Sequence, residues 1–477
     1  MSPKPLLRRA VGIAQDGPDG AKQVSPRSLA EAKALFRLGT PMAATQFFIM
    51  AMGFLDTAMA GHYDSTHLAG VALGSNVLWP VFMLLTGCTM SVTPIVAQLV
   101  GGGRTRRVGL VLRQGLLVGI VASVLAILIV VNAQPVFDLF NVDAAAADIG
   151  ERYLNAAAFG MPAVMCYIVL RYGSEGLGHT VGPMVIAGIV LVLNAILNYA
   201  FIYGRLGAPE LGGEGCGWAT AIVMWFELLA MIVLARFRYF RITGLWRRVE
   251  WPDFREIKQI LKIGIPIGLS SFVGMALFAI VGFFVGSLGV IPLAAHSIAG
   301  HLSWATIVIP MSLGSAAGIR IGFYVGAGEF SRAARVARVA VAISLIYAVT
   351  VSVALVLLRH YAAGVYSNDA DVVGLASSLI LVIAIYQVFD DTQATMAGAL
   401  RGYKDTRAPM VYSLVGYWLF ALPLGAVLGF GWQGIPNLGV FGFWVALSLG
   451  IAAIAVAMAV RLFRTGRDPA RILRLAS

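Results

Sequence analysis

The chain has 477 residues, of which 59% are hydrophobic and 12% are charged. Soluble globular domains carry about 25% charged residues, so this composition excludes a protein whose main solvent is water. The net charge of +12 would suit a nucleic-acid partner, but the basic residues lie between long apolar runs and instead favour a membrane protein without nucleic-acid binding.

Apolar runs of about twenty residues recur along the chain, and each can cross a hydrocarbon core of roughly 30 Å as a helix. Their continuous hydrophobicity favours helices over the short alternating strands of a membrane β-barrel. The segment before the first run lacks the apolar core and cleavage site of a secretory signal. We predict an all-α, polytopic membrane protein with twelve spans, at 38–61, 68–97, 109–132, 153–173, 183–204, 215–235, 264–287, 293–323, 335–358, 374–398, 408–430 and 438–462.

Basic residues follow these spans asymmetrically. Of the 35 Lys and Arg residues, only Arg152, Arg205 and Arg359 fall on one predicted side of the membrane. The positive-inside rule therefore predicts that both termini are cytoplasmic. It also predicts three cytoplasmic segments: an N-terminal tail at 1–37, a connector at 236–263 and a C-terminal tail at 464–477. The connector could alternatively bind lipid headgroups or regulate the protein.

An internal repeat divides the chain. A shift of 225 residues, becoming 226 further along, superposes several glycines, prolines and tryptophans, among them Gly39 on Gly264, Pro41 on Pro266, Trp79 on Trp304, Gly103 on Gly328 and Trp218 on Trp444. Because six spans are an even number, both copies have the same orientation, as in parallel-repeat transporters. We predict lobes at 38–235 and 264–463, without the Walker motif of an ATP-binding module.

Polar residues that break this repeat in the first half are candidate functional groups. They are Asp56, Asn194, Asn198 and Thr220, and their counterparts Val281, Phe420, Leu424 and Ala446 are apolar. A carboxylate within a span costs about 2.5–3.5 kcal/mol, so it usually faces a bundle interior or a watery cavity. The set offers oxygen ligands for a sodium ion or a hydrogen-bonded proton site. Interhelical hydrogen bonding is the structural alternative.

The second half carries YQVFDDTQ at 386–393 in its fourth span. Adjacent Asp390 and Asp391 point about 100° apart on a helix, so they face different surroundings. Gln387 and Gln393 lie three residues on either side of Asp390, which favours Asp390 as the residue facing a cavity. We predict a substrate site or second ion site from Asp390, Asp391, Tyr386, Gln387 and Gln393.

Glu227 is a weaker candidate in the sixth predicted span. We expect it near the cytoplasmic end, where it could interact with Arg236 or Arg238. The six histidines show no metal-ligand spacing.

Several motifs resemble the multidrug and toxic compound extrusion family, and its NorM-like branch most closely: GFLDTAMAG at 53–61, PIVAQLVGGGR at 94–104, APELGGEGCGWATA at 208–221, PLAAHSIA at 292–299, YQVFDDTQ at 386–393 and GALRGYKDT at 398–406. The resemblance covers nearly the whole chain. It implies a V-shaped pair of six-helix lobes in a bacterial inner membrane. It also implies antiport of organic cations and hydrophobic drugs against protons or sodium ions, without a cofactor and by a monomer among membrane lipids.

The resemblance also assigns residues. It implies that Asp56, Asn194, Asn198 and Thr220 form the ion-coupling site of the N-lobe, where they could act as ligands of a sodium ion, and that Asp390 is the acidic residue of the C-lobe. NorM-like members carry a glutamate midway through the seventh span, where FVGMALFA places Gly274. We therefore expect ion coupling to depend mainly on the first half.

The sequence leaves two other functions open. A flippase for a lipid-linked intermediate could use the same architecture, but a diphosphate headgroup calls for a cationic cavity and the polar sites here are acidic. A membrane enzyme would need a nucleophile with a base or a metal motif, and the sequence shows neither.

Overall fold

The computed structural model describes residues 24–139, 143–247, 250–432, 434 and 436–476. Most of the predicted N-terminal tail, 1–23, therefore lies outside the described residues. Within the described part, helices are the regular elements and no β-strand occurs. The prediction of an all-α protein is confirmed.

The first compact unit comprises the described residues from 44 to 268. The helices that contribute to it are α1 (Val24–Tyr63, from residue 44), α2 (Ser65–Met90), α3 (Val92–Gly101), α4 (Thr105–Val131), α5 (Gln134–Leu139), α6 (Ala144–Ala158), α7 (Met161–Gly176), α8 (Val181–Tyr203), α9 (Gly213–Ala235), α10 (Arg238–Arg241) and α11 (Phe254–Gly286, up to residue 268).

The second compact unit comprises the described residues up to 43 and those from 269 onward. Besides the remaining parts of α1 and α11, it contains α12 (Val290–Gly326), α13 (Phe330–Leu357), α14 (Arg359–Tyr366), α15 (Ala370–Gly402), α16 (Arg407–Leu414), a π-helical segment (Val415–Ala421), α17 (Leu422–Phe430), α18 (Val440–Arg467) and α19 (Pro469–Ala476).

Eleven helices or helix pairs of the described chain are long and apolar enough to cross a membrane, and a bent pair makes up to twelve. The pair is α6 and α7, which meet at an angle of 52°. This is the fourth predicted span, which we expected to be continuous. The break follows from the sequence Phe159-Gly160-Met161-Pro162, since Pro162 lacks the amide donor that an uninterrupted helix would use there.

Two helices begin ten or more residues before their predicted spans. Helix α1 begins at Val24 and α11 at Phe254, inside the segments expected to be tail and connector. Residues 29–37, LAEAKALFR, are mostly strong helix formers, which explains the early start. In unit 2, Arg320 Nε donates to Glu31 Oε2 at 2.9 Å and the Tyr324 hydroxyl donates to Glu31 Oε1 at 2.9 Å. The N-terminal part of α1 is thus fixed by a buried ion pair.

Glycines set the helix spacing in the core of unit 2. A Cβ on Gly398 of α15 would lie 2.3 Å from the carbonyl carbon of Gly314 on α12. Gly402 and Gly318 make the same kind of contact one turn further along, at 2.6 Å from the Gly318 oxygen. The two helices therefore touch backbone to backbone, which is how small residues four apart let membrane helices associate.

Candidate functional site

Asp56 lies on α1 and meets the amides of α8 within unit 1. Asn198 Nδ2 donates to Asp56 Oδ1 at 2.6 Å and lies 3.1 Å from Asn194 Oδ1. Both asparagines are fully buried, whereas Asp56 is half-buried. The spacing of four residues puts Asn194 and Asn198 on one face of α8, as the sequence predicted. The structure thus brings together these three predicted site residues.

Thr220 completes the cluster from α9. Its hydroxyl and the amide of Asn194 approach the Asp56 carboxylate without the geometry of a full hydrogen bond. Within the described part of the chain, Asn194 Nδ2, Asn198 Oδ1 and Thr220 Oγ1 are buried without a hydrogen-bond partner. A buried polar group normally has a hydrogen-bond partner, so three unpartnered polar atoms around one carboxylate are suited to bind an ion or another polar ligand.

Two residues near Asp56, Tyr153 and Cys216, were missed by the sequence reasoning. Tyr153 of α6 is buried and interacts electrostatically with Asp56, and its hydroxyl lies 3.5 Å from Ser75 Oγ. Cys216 donates through sulfur to the Asp56 carbonyl at 3.7 Å. The repeat could have revealed Tyr153, because both of its possible counterparts, Ser378 and Leu379, lack an aromatic ring.

Gly74 of α2 makes room for the Tyr153 ring. A Cβ at Gly74 would lie 2.5 Å from Tyr153 Cδ1, closer than real Cβ contacts allow. The backbone of α9 comes equally close on another side, since a Cβ on Gly217 would lie 2.5 Å from the Tyr153 carbonyl oxygen. Two glycines therefore determine where α6 places this tyrosine.

In unit 2, Asp390 of α15 is buried among aromatic side chains. Tyr386, one turn earlier on the same helix, and Tyr417 both interact with its carboxylate. Tyr417 belongs to the π-helical segment, whose wider turn redirects the side chains of an otherwise α-helical span. This arrangement supplies one carboxylate and two phenol groups.

Asp391 has separate surroundings, as its 100° offset predicts. Gln387 Nε2 donates to Asp391 Oδ1 at 2.6 Å. We predicted that Gln387 lies on roughly the same face as Asp390, but its hydrogen bond is made to Asp391. The reason is helical geometry: Gln387 and Asp391 are four residues apart, closer to one full turn than the three residues that separate Gln387 from Asp390. Gln393 is half-buried on the following turn.

Gly274 of α11 faces Tyr417. A Cβ built on it would have a single neighbour within 4 Å, the Tyr417 Cε2 atom at 4.0 Å. The position therefore has space for a side chain beside the Asp390 surroundings. Among the residues that the structure describes, no group of three or more His, Cys, Asp or Glu side chains could hold a metal ion. Any cation at Asp56 would rely on one carboxylate and neutral oxygens.

The structure combines a half-buried carboxylate, open amide and hydroxyl groups, and a bundle of membrane helices in two repeats, which together are typical of a membrane transporter. The family model described as MatE matches residues 41–200 and 266–427. Its two copies begin 225 residues apart, the offset of the internal repeat.

Similar proteins agree with this class. The multidrug resistance protein MdtK of Edwardsiella ictaluri is 37% identical over 441 residues, 92% of this chain and 96% of that protein. The eukaryotic MATE transporter AtDTX14 has the same fold, with a TM-score of 0.84 and 18% identity over 94% of this chain and all of that one. The Vibrio cholerae MATE transporter VcmN in its bent form gives a TM-score of 0.83 at 16% identity, over 94% of this chain and all of that one.

The chain belongs to the multidrug and toxic compound extrusion family. The predicted family is confirmed, and so is the prediction that the protein is a multi-pass membrane transporter and not an enzyme.

Proposed function

We propose that the protein exports organic cations and hydrophobic drugs by secondary active antiport, in exchange for protons or sodium ions that bind at Asp56. The observation that carries this proposal is the Asp56 carboxylate, which is half-buried and hydrogen-bonded by Asn198, with three open polar atoms around it. The similarity of the protein to a multidrug resistance protein over 92% of the chain supports drugs as the substrates.

The Asp56 cluster can stabilise either ion. A proton would neutralise the carboxylate directly and weaken its charge-assisted bond to Asn198. A sodium ion would require hard oxygen ligands, which Asp56, Asn198 Oδ1 and Thr220 Oγ1 offer. In both cases ion binding changes the hydrogen bond that joins α1 to α8 and the approach of Thr220 on α9, so it alters packing within unit 1.

Asp390 has a different role in this proposal. Its carboxylate, with Tyr386 and Tyr417 beside it, attracts the positive charge of an organic cation to unit 2. Asp391 and the glutamines are proposed as supporting polar groups of the same site. Because Gly274 brings no second carboxylate, we assign ion coupling mainly to unit 1.

The cellular setting follows from the same proposal. We propose a monomer in the bacterial inner membrane, surrounded by lipids and with both termini in the cytoplasm, in accordance with the distribution of basic residues. The exported drugs would then leave the cytoplasm while ions move inward down their gradient.

The decisive experiment uses the full-length protein in proteoliposomes. Ethidium efflux is measured under an imposed pH gradient and, separately, under an imposed sodium gradient, with wild type and Asp56→Asn. We expect one of the two gradients to drive efflux by wild type and neither gradient to drive efflux by the variant. The matched control is Asp148→Asn, because Asp148 is an exposed carboxylate that pairs with Arg152 on the surface of α6. Full ion-driven efflux by Asp56→Asn would refute the coupling role.

A further inference from the structure

A second polar cluster lies inside unit 1, apart from Asp56. Arg171 of α7 donates through Nε to Glu175 Oε1 at 2.8 Å and through a terminal nitrogen to Gln46 Oε1 of α1 at 3.2 Å. Arg171, Glu175 and, on α9, Glu227 are at most 8% exposed. Glu227 interacts electrostatically with Arg171. Three ionisable side chains, Arg171, Glu175 and Glu227, therefore share one buried region.

The charges of this cluster do not balance. Arg171 supplies one positive charge, and Glu175 holds it in a close ion pair. Glu227 makes no ion pair or hydrogen bond with any side chain that the structure describes. Of its two expected partners, Arg236 lies over the Trp246 ring, and the Arg238 side chain is outside the described ones. A second negative charge, on an unpaired Glu227 carboxylate, would be strongly unfavourable in this buried region. A proton on Glu227 removes that charge.

A buried hydroxyl points to the same place. Tyr167 of α7 is 2% exposed, and its hydroxyl has no hydrogen-bond partner among the described residues. It interacts electrostatically with Glu227, Arg171 and Glu175. Tyr172 is a further titratable group that interacts with this cluster. An unpaired phenol beside an unpaired carboxyl can donate to it whenever the carboxyl loses its proton.

The cluster lies to one side of the Asp56 site along the helices. Gln46 precedes Asp56 by ten residues on α1, about 15 Å of helix, and Glu227 follows Thr220 by seven residues on α9, about 10 Å. Because α1 and α9 run in opposite directions between these sites, both displacements lead toward the end of unit 1 that we predict to face the cytoplasm. A proton leaving Asp56 for that side would meet Glu227 next.

We propose that Glu227, with Tyr167 as its hydrogen-bond partner, is a second proton-binding site of unit 1 and relays protons between Asp56 and the cytoplasmic side. The relay role rests on the proposed proton-coupled antiport, whereas the presence of a proton on Glu227 does not. Arg171 pairs with Glu175 on α7 and joins this helix to α1 through its hydrogen bond to Gln46.

Infrared difference spectroscopy of the full-length protein in nanodiscs tests proton binding directly. A pH titration of wild type is expected to show the carbonyl band of a buried protonated carboxyl, and Glu227→Gln is expected to lose that component. Glu151→Gln on α6, a half-buried carboxylate outside both sites, should keep it, and so should the conservative variant Glu227→Asp. An unchanged band in folded Glu227→Gln would overturn the proposal.

Transport measurements test the relay. In proteoliposomes, Glu227→Gln is expected to lose ethidium accumulation driven by a pH gradient while keeping ethidium–ethidium exchange, which needs no net proton movement. Retained pH-driven accumulation would overturn the relay. This result is separable from the proposed function: full ion-driven efflux by Asp56→Asn would refute coupling at Asp56, whereas the infrared band decides the protonation of Glu227 on its own.

Discussion

At the scale of single residues, the two halves place carboxylates in contrasting surroundings. Asp56 is half-buried and faces amides, so it stays accessible while hydrogen-bonded. Asp390 is buried beside two tyrosines, and one carboxylate oxygen of Asp391 accepts a hydrogen bond from Gln387. A hydrogen bond to an ionised group contributes about 1.5–3 kcal/mol, so Asn198 has a substantial influence on the charge state of Asp56.

Gly274 offers a test at the same scale. We expect Gly274→Glu to fold and to add an ion-binding carboxylate in unit 2, because a Cβ there has only one neighbour, at 4.0 Å. The number of ions exchanged per ethidium molecule, measured in proteoliposomes, should rise relative to Gly274→Ala. An unchanged ratio with normal folding would show that this position does not contribute to ion binding.

The contrasting variant is Gly268→Ala on the same helix. Its Cβ would lie 2.2 Å from the Leu84 carbonyl oxygen in unit 1. Overpacking of this kind costs about 1–3 kcal/mol, so Gly268→Ala should lower the melting temperature while Gly274→Ala does not.

At the scale of helices, close packing between glycines means that a single added methyl group can change the distance between α12 and α15. We expect Gly398→Ala to push α15 away from α12 and to lower the melting temperature, since its Cβ would lie 2.3 Å from backbone atoms. Gly374→Ala on α15 is the matched control, because no atom lies within 4 Å of its added Cβ. Equal melting temperatures for the two variants in detergent would contradict the assigned helix contact.

The junction between α1 and α2 depends on a helix cap. Asp64 accepts hydrogen bonds from the Thr66 and His67 amides at 2.7 and 3.4 Å, and the Thr66 amide holds the pKa of this carboxyl below its ordinary value. A lowered pKa means that the ionised cap stabilises the fold above about pH 4 and that this contribution is lost as the pH falls through the lowered pKa.

Asp64→Ala should therefore lower the melting temperature at neutral pH, and the gap to wild type should close on acidification. Asp64→Asn keeps an acceptor oxygen and should show a smaller gap at neutral pH, which narrows in parallel on acidification because neither variant titrates at this position. Thermal unfolding at a series of pH values measures both, and a constant gap for Asp64→Ala would contradict a charged cap.

At the scale of the whole molecule, the repeat provides two similar frameworks with unequal polar groups. We expect Asp56→Asn to abolish ion-driven efflux of cationic and neutral drugs alike, because it removes the coupling ion. Asp390→Asn should impair efflux of cationic ethidium more than that of a neutral substrate, because it removes only negative charge near the proposed substrate site. Parallel vesicle assays with both substrates measure the difference, and equal losses in the two variants would contradict separate roles.

The sequence alone determined much of this protein. Apolar length, charge asymmetry and the repeat gave an all-α membrane protein of about twelve spans, because a bilayer leaves few other ways to satisfy the backbone. Helical periodicity also placed Asn194 and Asn198 on one face, and repeat asymmetry pointed to Asp56 and Thr220.

Only the tertiary structure decided which groups meet across helices. It assigned Gln387 to Asp391, added Tyr153 and Cys216 to the Asp56 surroundings, and joined Glu227 to the Arg171–Glu175 pair. Sequence spacing fixes neighbours along one helix, whereas contacts between helices depend on how glycines such as Gly74 let particular backbones approach.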